Sequence, residues 1–388
     1  MQLHERPVFP RGFSCAARHC GLKESGKDLA LFVSDVEAAA AAIFTRNLFP
    51  GAPVILGRQT IAAGRLRAVV VNSRYSNVAT GPRGLDDARR MAAAAAREVG
   101  TTPDRVLVSS TGVIGVPLPI ERIEAGLAGM ARELGPDPLV GAEAIMTTDR
   151  HPKVLSLSVG TATLTWVAKG AGMIEPNMAT MLVYIFTDAD LEAAELDELL
   201  RDAARDSFNM LSVDGDTSTS DTCAIMANGL AGEVGREEFT AALREGCLRV
   251  TEMIARDGEG ATRLLRVTVR GAASDDDARR IAKSLVNSPL VKTMVHGADP
   301  NVGRILMAVG KCFECKIVPH ATDVWINGFR VVSGGIRVDF DEHAVRRTLS
   351  GDAVDIEVSL GAGSYTARAF GCDLGPGYIA ENAAYYSS

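Results

Sequence analysis

The chain has few aromatic residues, no long apolar run and no dense cluster of basic residues. Aromatic residues make up 5% of the 388 positions. No apolar stretch approaches the roughly 20 residues that a membrane-spanning helix needs. The N-terminus has no apolar core behind its charges, so it does not resemble a secretory signal. The net charge is −7, and no stripe of lysine and arginine is present to bind nucleic acid. We therefore expect a cytoplasmic protein that binds neither membrane nor nucleic acid.

Sequence patterns for metals and cofactors are weak. The seven cysteines are scattered and odd in number, which favours reduced thiols over a disulfide framework. Cys312 and Cys315 have metal-ligand spacing, but the second pair of a zinc site is missing. The acidic run from Asp214 to Asp221 begins like a calcium loop but lacks the glutamate that closes one. No glycine-rich phosphate-binding motif occurs. We expect no metal and no bound cofactor.

What the sequence does contain is an interleaved set of apolar patterns. Hydrophobic residues make up 47% of the chain and charged residues 23%, which is ordinary for a globular protein. Short apolar runs predict strands at 29–33, 68–71, 106–108, 154–159, 162–167 and 264–269. Helical spacing or alanine content predicts helices at 38–44, 86–99, 120–134, 191–208, 237–255 and 275–285. Because the order lacks a regular strand–helix–strand rhythm, the class is α/β with mixed α+β sheets.

The length allows two domains, each with its own core. The stretch 271–277 is polar and rich in small residues, and it is the weakest seam in the chain. We predict a main catalytic domain at 1–270 and a smaller C-terminal domain at 271–388.

Thr180 follows a glycine-loosened loop and precedes the apolar run 181–186. A hydroxyl at the mouth of a buried strand is well placed for chemistry, but it needs a base. If the Ala179–Thr180 bond were cut, the new α-amine of Thr180, with a reference pKa of about 7.7–8.0, could be that base. The residues alone favour a simpler interpretation, in which a loop enters a core strand.

The run 168–182, AKGAGMIEPNMATML, resembles the self-cleaving region of the ornithine acetyltransferase family, also called glutamate N-acetyltransferases. Its members carry AKGxGMIxPxMATML and are cut between the alanine and the threonine. The resemblance extends from Arg11 to Ser387. It implies an α chain of 1–179 and a β chain that begins at Thr180. It also implies layered sheets and helices of the ornithine acetyltransferase and aminopeptidase type, in an assembly of several αβ heterodimers such as a heterotetramer.

The resemblance also implies roles for individual residues. Thr180 would be the nucleophile, cut from Ala179. Thr111 and Gly112, in an STGVIG-like motif, would stabilise the oxyanion, although an STG turn alone fits an ordinary exit from a strand. The implied substrate-binding residues are Thr147, Lys169, Thr180, Glu259, Asn382 and Ser387.

The implied reaction moves an acetyl group from N-acetylornithine to glutamate. It is a ping-pong reaction through acetyl-Thr180, after self-cleavage by an N-to-O acyl shift. No metal or cofactor is needed, and acetyl-CoA could serve as a co-substrate.

Two loops depart from the family pattern and leave the substrate open. Many members have an SGNANACTG-like loop where this chain has SRYSNVATG at 73–81, and HGxDPNWGR where this chain has Val302 in place of Trp. One alternative is therefore a paralogous acyltransferase of a specialised, antibiotic-type pathway with a different acyl donor or acceptor. A second is an N-terminal-nucleophile amidase or aminopeptidase, which would pass the acyl group to water. A third is an unprocessed, non-catalytic relative.

Overall fold

Strands and helices interleave along the chain, and the computed structural model, which describes residues 1–175 and 181–383, confirms the mixed α/β class. In chain order the strands are β1 (Gln2–Leu3), β2 (Phe13–Arg18), β3 (Leu29–Phe44), β4 (Arg65–Tyr75), β5 (Val106–Val113), β6 (Lys153–Val159), β7 (Ala162–Lys169), β8 (Leu182–Ala189), β9 (Thr222–Gly232), β10 (Leu264–Ala272), β11 (Asp323–Ile326), β12 (Phe329–Ser333), β13 (Ile336–Arg337), β14 (Ala353–Ser359) and β15 (Tyr365–Cys372).

The helices include those predicted from helical spacing, and others that the spacing did not indicate. They are α1 (Ala52–Thr60), α2 (Gly81–Val99), α3 (Ile120–Leu127), α4 (Pro138–Ile145), α5 (Ala193–Asp206), α6 (Arg236–Arg256), α7 (Asp275–Val286), α8 (Pro289–His296), α9 (Val302–Gly310), α10 (Glu342–Leu349) and α11 (Pro376–Asn382). Within residues 1–175 and 181–383, none of them combines the length and apolar character needed to cross a bilayer.

The chain divides into two compact units that do not follow one simple cut in the sequence. The first unit contains Met1–Gly170, Pro176–Phe208 and Thr217–Val250. The second contains Ala171–Glu175, Asn209–Asp216 and Thr251–Ser388. The predicted seam at 271–277 joins β10 to α7, both of which belong to the second unit. The division into a catalytic and a C-terminal domain at residue 270 stays a prediction.

The first unit is built on one mixed sheet. Among the described strands, the order is β1-β6-β7-β8-β9-β3-β4-β5, and β2 also pairs with β3. The pairs β4–β5 and β8–β9 are parallel, whereas β7 runs antiparallel to β8. The ends of β5 and β7 carry the motifs that the sequence marked as functional.

Both faces of this sheet are covered, and β3 shows why. Leu29, Leu31 and Val33 point into a core that includes Met91 of α2 and Ile123 of α3. The alternate residue Phe32 packs on the other face, with its ring centroid 5.7 Å from that of Tyr184 and 5.5 Å from that of Phe186. Side chains alternate between the two faces of a strand, so one strand supplies both cores.

The prediction of a helix at 38–44 is wrong, because β3 continues to Phe44. Ala39 to Phe44 pair one by one with residues of β9, from Ala227 to Thr222. The alanines of this segment are at most 6% exposed. Strand partners satisfy the backbone and burial surrounds the small side chains, so tertiary pairing overrides the helix propensity of alanine.

The helix predicted at 120–134 is also shorter than expected. It ends at Leu127, since Ala128 leaves the helical region with a ψ of 118° and Gly129 takes a φ of +72°. A short 3-10 turn follows at Met130–Glu133.

The second unit contains a separate mixed sheet. In the described part of the chain its order is β13-β12-β11-β14-β10-β15, with β10 parallel to β14. Helix α7 packs on β10 and β15. Ser274 is the N-cap of α7, because its Oγ accepts a hydrogen bond of 3.0 Å from the backbone N–H of Asp277.

Candidate functional site

The STG motif lies at the end of β5, where the backbone geometry requires glycine. In the parallel ladder with β4, Ser73 lies opposite Thr111 and Arg74 lies opposite Gly112. Gly112 has a φ of +121°, and a Cβ built there would be 2.2 Å from the carbonyl oxygen of Arg74. Any other residue would be both strained and obstructed by backbone atoms. The glycine therefore permits a turn that a side chain at this position would prevent.

Lys169, the last residue of β7, lies against the same motif. Its Nζ donates a hydrogen bond of 3.3 Å to Thr111 Oγ1, and both residues are 8% exposed. A hydroxyl that accepts from an ammonium group keeps its own hydrogen for a second partner. The structure thus brings Lys169 and Thr111 together and leaves the hydrogen of the Thr111 hydroxyl for another acceptor.

Asp149, which sequence reasoning did not single out, connects two predicted substrate-binding positions. Asp149 Oδ1 accepts from the N–H of Gly170 at 2.6 Å and from Lys153 Nζ at 2.7 Å. Asp149 Oδ2 accepts from the N–H of Thr147 at 3.0 Å. Burial alone would raise the pKa of Asp149, but the ammonium groups of Lys169 and Lys153 outweigh it and lower the pKa to about 2. Asp149 therefore fixes the backbone beside both Thr147 and Lys169.

Lys23 is a second ammonium group near the Thr147 segment that the sequence did not reveal. Its Nζ donates to the carbonyl oxygen of Met146 at 2.7 Å and to that of Lys27 at 3.2 Å. Burial lowers the pKa of Lys23 to about 8, and the positive charge of Lys169 adds to this effect while Asp28 opposes it. Nothing in the local sequence marks Lys23, because Met146 and Lys169, which complete its environment, are distant in the chain.

The predicted cleavage site, Ala179 and Thr180, lies outside the described residues, but the next residue along the chain is held firmly. The carbonyl oxygen of Met181 accepts from the N–H of Thr222 at 3.0 Å, and Leu182 lies opposite Lys169 in the sheet. Asp221, which precedes β9, is 2% exposed. Burial raises the pKa of Asp221 well above its ordinary value, which favours the protonated acid.

In the second unit, Glu259 and Asn382 form a pair. Asn382 Nδ2 donates to Glu259 Oε2 at 2.8 Å, and the backbone N–H of Glu259 donates to the carbonyl oxygen of Ala171 at 2.8 Å. Gly172 packs against the side chain of Glu259, since a Cβ on Gly172 would be 2.2 Å from the Glu259 carboxyl carbon. The structure thus joins two residues that are far apart in sequence. Ser387, the last predicted position, lies outside the described residues.

The loop at 73–81, whose sequence differs from the family pattern, contains a strained residue. Arg74 has a φ of +135°, a backbone conformation that favours glycine. Matched letter by letter, Arg74 stands where the SGNANACTG-like loop has its first glycine. The side chain is half-buried, and its charge also lowers the pKa of Lys23. A bulky cation has therefore been placed at a position shaped for glycine, directly opposite Gly112.

The described residues contain no group of three or more His, Cys, Asp or Glu side chains that could hold a metal ion. The Cys312–Cys315 motif forms a turn in which the N–H of Cys315 donates to the carbonyl oxygen of Cys312 at 2.9 Å. Burial raises the pKa of Cys315 to about 11, which disfavours the thiolate that metals and redox partners need.

Known proteins resemble this chain along nearly its whole length. The model of the ArgJ family matches residues 14–387. The arginine biosynthesis bifunctional protein ArgJ of Rhodococcoides fascians is 46% identical over 385 residues, which cover 97% of this chain and 94% of that protein. Glutamate N-acetyltransferase Oat2 of Streptomyces clavuligerus is 44% identical over 388 residues, 98% of each chain. A crystal structure of ArgJ from Bacillus halodurans has a TM-score of 0.51 at 39% identity, and it covers 53% of this chain and 100% of that chain.

These matches define the class as an acyltransferase enzyme of arginine biosynthesis. The chain belongs to the ArgJ family.

Proposed function

We propose that this enzyme transfers an acetyl group from N-acetylornithine to glutamate through an acetyl ester on Thr180. The observation that carries the proposal is the contact of Lys169 Nζ with Thr111 Oγ1, which turns the Thr111 hydroxyl into a donor beside the glycine turn. The Thr111 hydroxyl and the N–H of Gly112 would then be the two donors that an acyl-transfer oxyanion requires.

In the first half-reaction, Thr180 Oγ attacks the acetyl carbonyl carbon of N-acetylornithine. The α-amine of Thr180 takes the hydroxyl proton and passes it to the departing nitrogen as the C–N bond breaks, releasing ornithine. In the second, the amine of glutamate attacks the ester carbon and the C–O bond breaks. The Thr180 hydroxyl recovers its proton, and N-acetylglutamate leaves. Thr111 and Gly112 stabilise the oxyanion in both steps.

The substrate-binding roles follow from charge. Lys169, with Thr147 held beside it through Asp149, suits the carboxylate of an amino acid. In the second unit, Glu259 suits the cationic amine of ornithine. Asn382 donates a hydrogen bond to the carboxylate group of Glu259. Ser387 completes the proposed binding set.

The enzyme makes its own nucleophile by cutting between Ala179 and Thr180. The Thr180 hydroxyl attacks the Ala179 carbonyl carbon, the peptide becomes an ester, and water then hydrolyses this ester. The fold match supports this step, because the Bacillus halodurans chain is covered along 100% of its length by only 53% of this chain. A chain of about half this length is what a cut near residue 180 leaves.

The remaining features of the proposal come from the same family. The reaction needs no metal or bound cofactor, and acetyl-CoA could act as a second acetyl donor. The α and β chains stay associated and assemble as several heterodimers. The enzyme works in the cytoplasm, on small-molecule substrates.

A second candidate, a paralogous acyltransferase with a different acyl donor or acceptor, is favoured by Arg74. Arg74 pairs with Gly112 in the sheet, so its positive charge belongs to the strand beside the proposed oxyanion turn. This charge would favour a substrate that carries an additional carboxylate.

One assay separates the candidates. Purified enzyme is given N-acetylornithine with and without glutamate, and then a panel of acyl donors that includes acidic acyl groups. Glutamate-dependent release of ornithine supports the main proposal. Faster transfer from an acidic donor supports the second candidate. Release of acetate without glutamate would overturn both in favour of an amidase.

A further inference from the structure

Asp214 is a point where several chain segments of the second unit meet. The sequence placed it at the start of a run that mimics a calcium loop. In the structure its carboxylate accepts backbone hydrogen bonds instead, one on each oxygen from the segment 171–175 and one on Oδ1 from the N–H of Asp216 at 3.3 Å. The N–H of Met173 donates to Oδ2 at 2.7 Å, and the N–H of Ile174 donates to Oδ1 at 2.8 Å. Hydrogen bonds to a carboxylate are stronger than neutral ones, so Asp214 holds the segment 171–175 firmly.

The segment 171–175 in turn supports Glu259. The carbonyl oxygen of Ala171 accepts from the N–H of Glu259 at 2.8 Å, and Gly172 leaves no room for a Cβ beside the Glu259 carboxyl group. The same segment also contacts the residue before Asp214, because the N–H of Val213 donates to the carbonyl oxygen of Ile174 at 2.8 Å. A shift of this segment would therefore move Glu259.

A second connection runs from Asp214 through the C-terminal helix. The hydroxyl of Tyr378, in α11, donates to Asp214 Oδ2 at 3.3 Å. One turn further along α11, Asn382 donates to Glu259 Oε2 and to the carbonyl oxygen of Tyr378. The helix also lies directly on the Glu259 loop, since a Cβ on Gly260 would be 2.1 Å from the backbone nitrogen of Tyr378.

These contacts close a ring from Asp214 through the segment 171–175 to Glu259, and back through Asn382 and Tyr378. We infer that Asp214 is a positioning residue, which holds the Glu259–Asn382 pair in its binding geometry from both sides. Asp214 does not touch the substrate in this account, and the inference rests on the proposed role of Glu259 in substrate binding. In this ring, backbone N–H groups and a tyrosine hydroxyl donate to the Asp214 oxygens.

The test compares the full-length enzyme with Asp214→Asn, Tyr378→Phe and a matched control, Asp216→Asn. Asp216 is exposed in the same loop, and its side chain is not part of the ring. Asparagine keeps the size of Asp214 but offers a single acceptor oxygen, so it cannot satisfy both N–H groups. The measurements are amide hydrogen exchange in 171–175 and in 376–383, together with kcat and KM for N-acetylornithine.

Asp214→Asn is expected to speed exchange in both segments and to raise KM about tenfold, with kcat changed less than about twofold. Tyr378→Phe is expected to speed exchange in 376–383 alone and to raise KM about threefold, since it breaks one side of the ring. Asp216→Asn is expected to behave like the wild type.

The inference is overturned if Asp214→Asn leaves exchange in 376–383 and KM at the values of the control, or if it lowers kcat with KM unchanged. A wild-type enzyme that transfers nothing from N-acetylornithine would instead contradict the proposed function. In that case the exchange measurement still decides whether Asp214 controls both segments.

Discussion

The Thr111–Gly112 turn of the first unit and the Glu259–Asn382 pair of the second are built in different ways. The turn is part of a strand, with β4 paired beside it and a glycine packed against backbone atoms. The pair sits on a loop and a C-terminal helix, and single side-chain hydrogen bonds hold it. One region is fixed by the sheet, whereas the other is fixed by contacts that a point mutation can remove.

Because of this difference, we expect mutations in the two regions to change different kinetic constants. Oxyanion donors must be in place before charge develops, and a sheet provides that rigidity. A pair held by single hydrogen bonds, each worth about 0.5–1.5 kcal/mol net, can be weakened gradually. Mutations near Thr111 should therefore lower kcat, and mutations around Glu259 should mainly raise KM.

The largest effect is expected from Thr180→Ala, which removes the proposed nucleophile. This variant should remain one uncut chain and should show no transfer, because both the acyl shift and the acetyl ester require the hydroxyl. Gel electrophoresis and the ornithine-release assay measure the two losses. Thr180→Ser, which keeps a hydroxyl, should retain some cutting. A cut and active Thr180→Ala enzyme would remove Thr180 from the mechanism.

Gly112→Ala tests the rigid region and should lower kcat about 100- to 1,000-fold, the usual cost of losing an oxyanion donor. Its Cβ would meet the Arg74 carbonyl oxygen at 2.2 Å, which must displace the turn. Gly115→Ala is the matched control, since Gly115 also has a positive φ, +82°, but nothing lies within 4 Å of its Cβ position. Steady-state kinetics should show a much smaller loss for Gly115→Ala, and equal losses would mean that backbone strain, not obstruction, decides.

Asp149 should make the first unit sensitive to acid. Its pKa of about 2 in the folded protein lies below the ordinary value of 3.8, so its stabilising effect is complete above about pH 4 and is lost as the pH falls toward 2. The loss should be about 2 kcal/mol of the free energy of unfolding. Urea unfolding across this pH range should show the acid-dependent step in the wild type and its absence in Asp149→Asn. Parallel curves for the two proteins would contradict the paired state of Asp149.

The smallest effect concerns Arg74. Replacing Arg74 with glycine should relieve the backbone strain that its side chain causes at a positive φ, and should stabilise the protein by about 1 kcal/mol. Arg74→Ala is the matched control, because it removes the charge but keeps a Cβ and therefore the strain. Thermal unfolding should rank Gly above Ala. If both variants gain equally, the side-chain charge and not the backbone is the source of the cost.

The sequence predicted local patterns well and distant contacts poorly. Strands β5 and β7 follow from the apolar runs 106–108 and 162–167, and each continues past its run to include Thr111 or Lys169. The alanine-rich part of β3 did not follow, because its conformation depends on a partner strand nearly two hundred positions away, as in the pair Ala39–Ala227.

The contacts of Asp149 and Asp214 were missed for the same reason. Each residue looks like an exposed acid in a polar loop, and only the folded chain shows the backbone N–H groups that each one accepts. The roles of the predicted site residues stay predictions, although the contacts of Lys169 with Thr111 and of Glu259 with Asn382 are in place.

The most direct test of the account is mass spectrometry of the purified protein after incubation with N-acetylornithine alone. The proposed mechanism predicts two polypeptides, one ending at Ala179 and one beginning at Thr180, with a single acetyl group on Thr180 that glutamate removes. A single intact chain that still transfers acetyl groups, or a cut chain that never carries the acetyl group on Thr180, would contradict it.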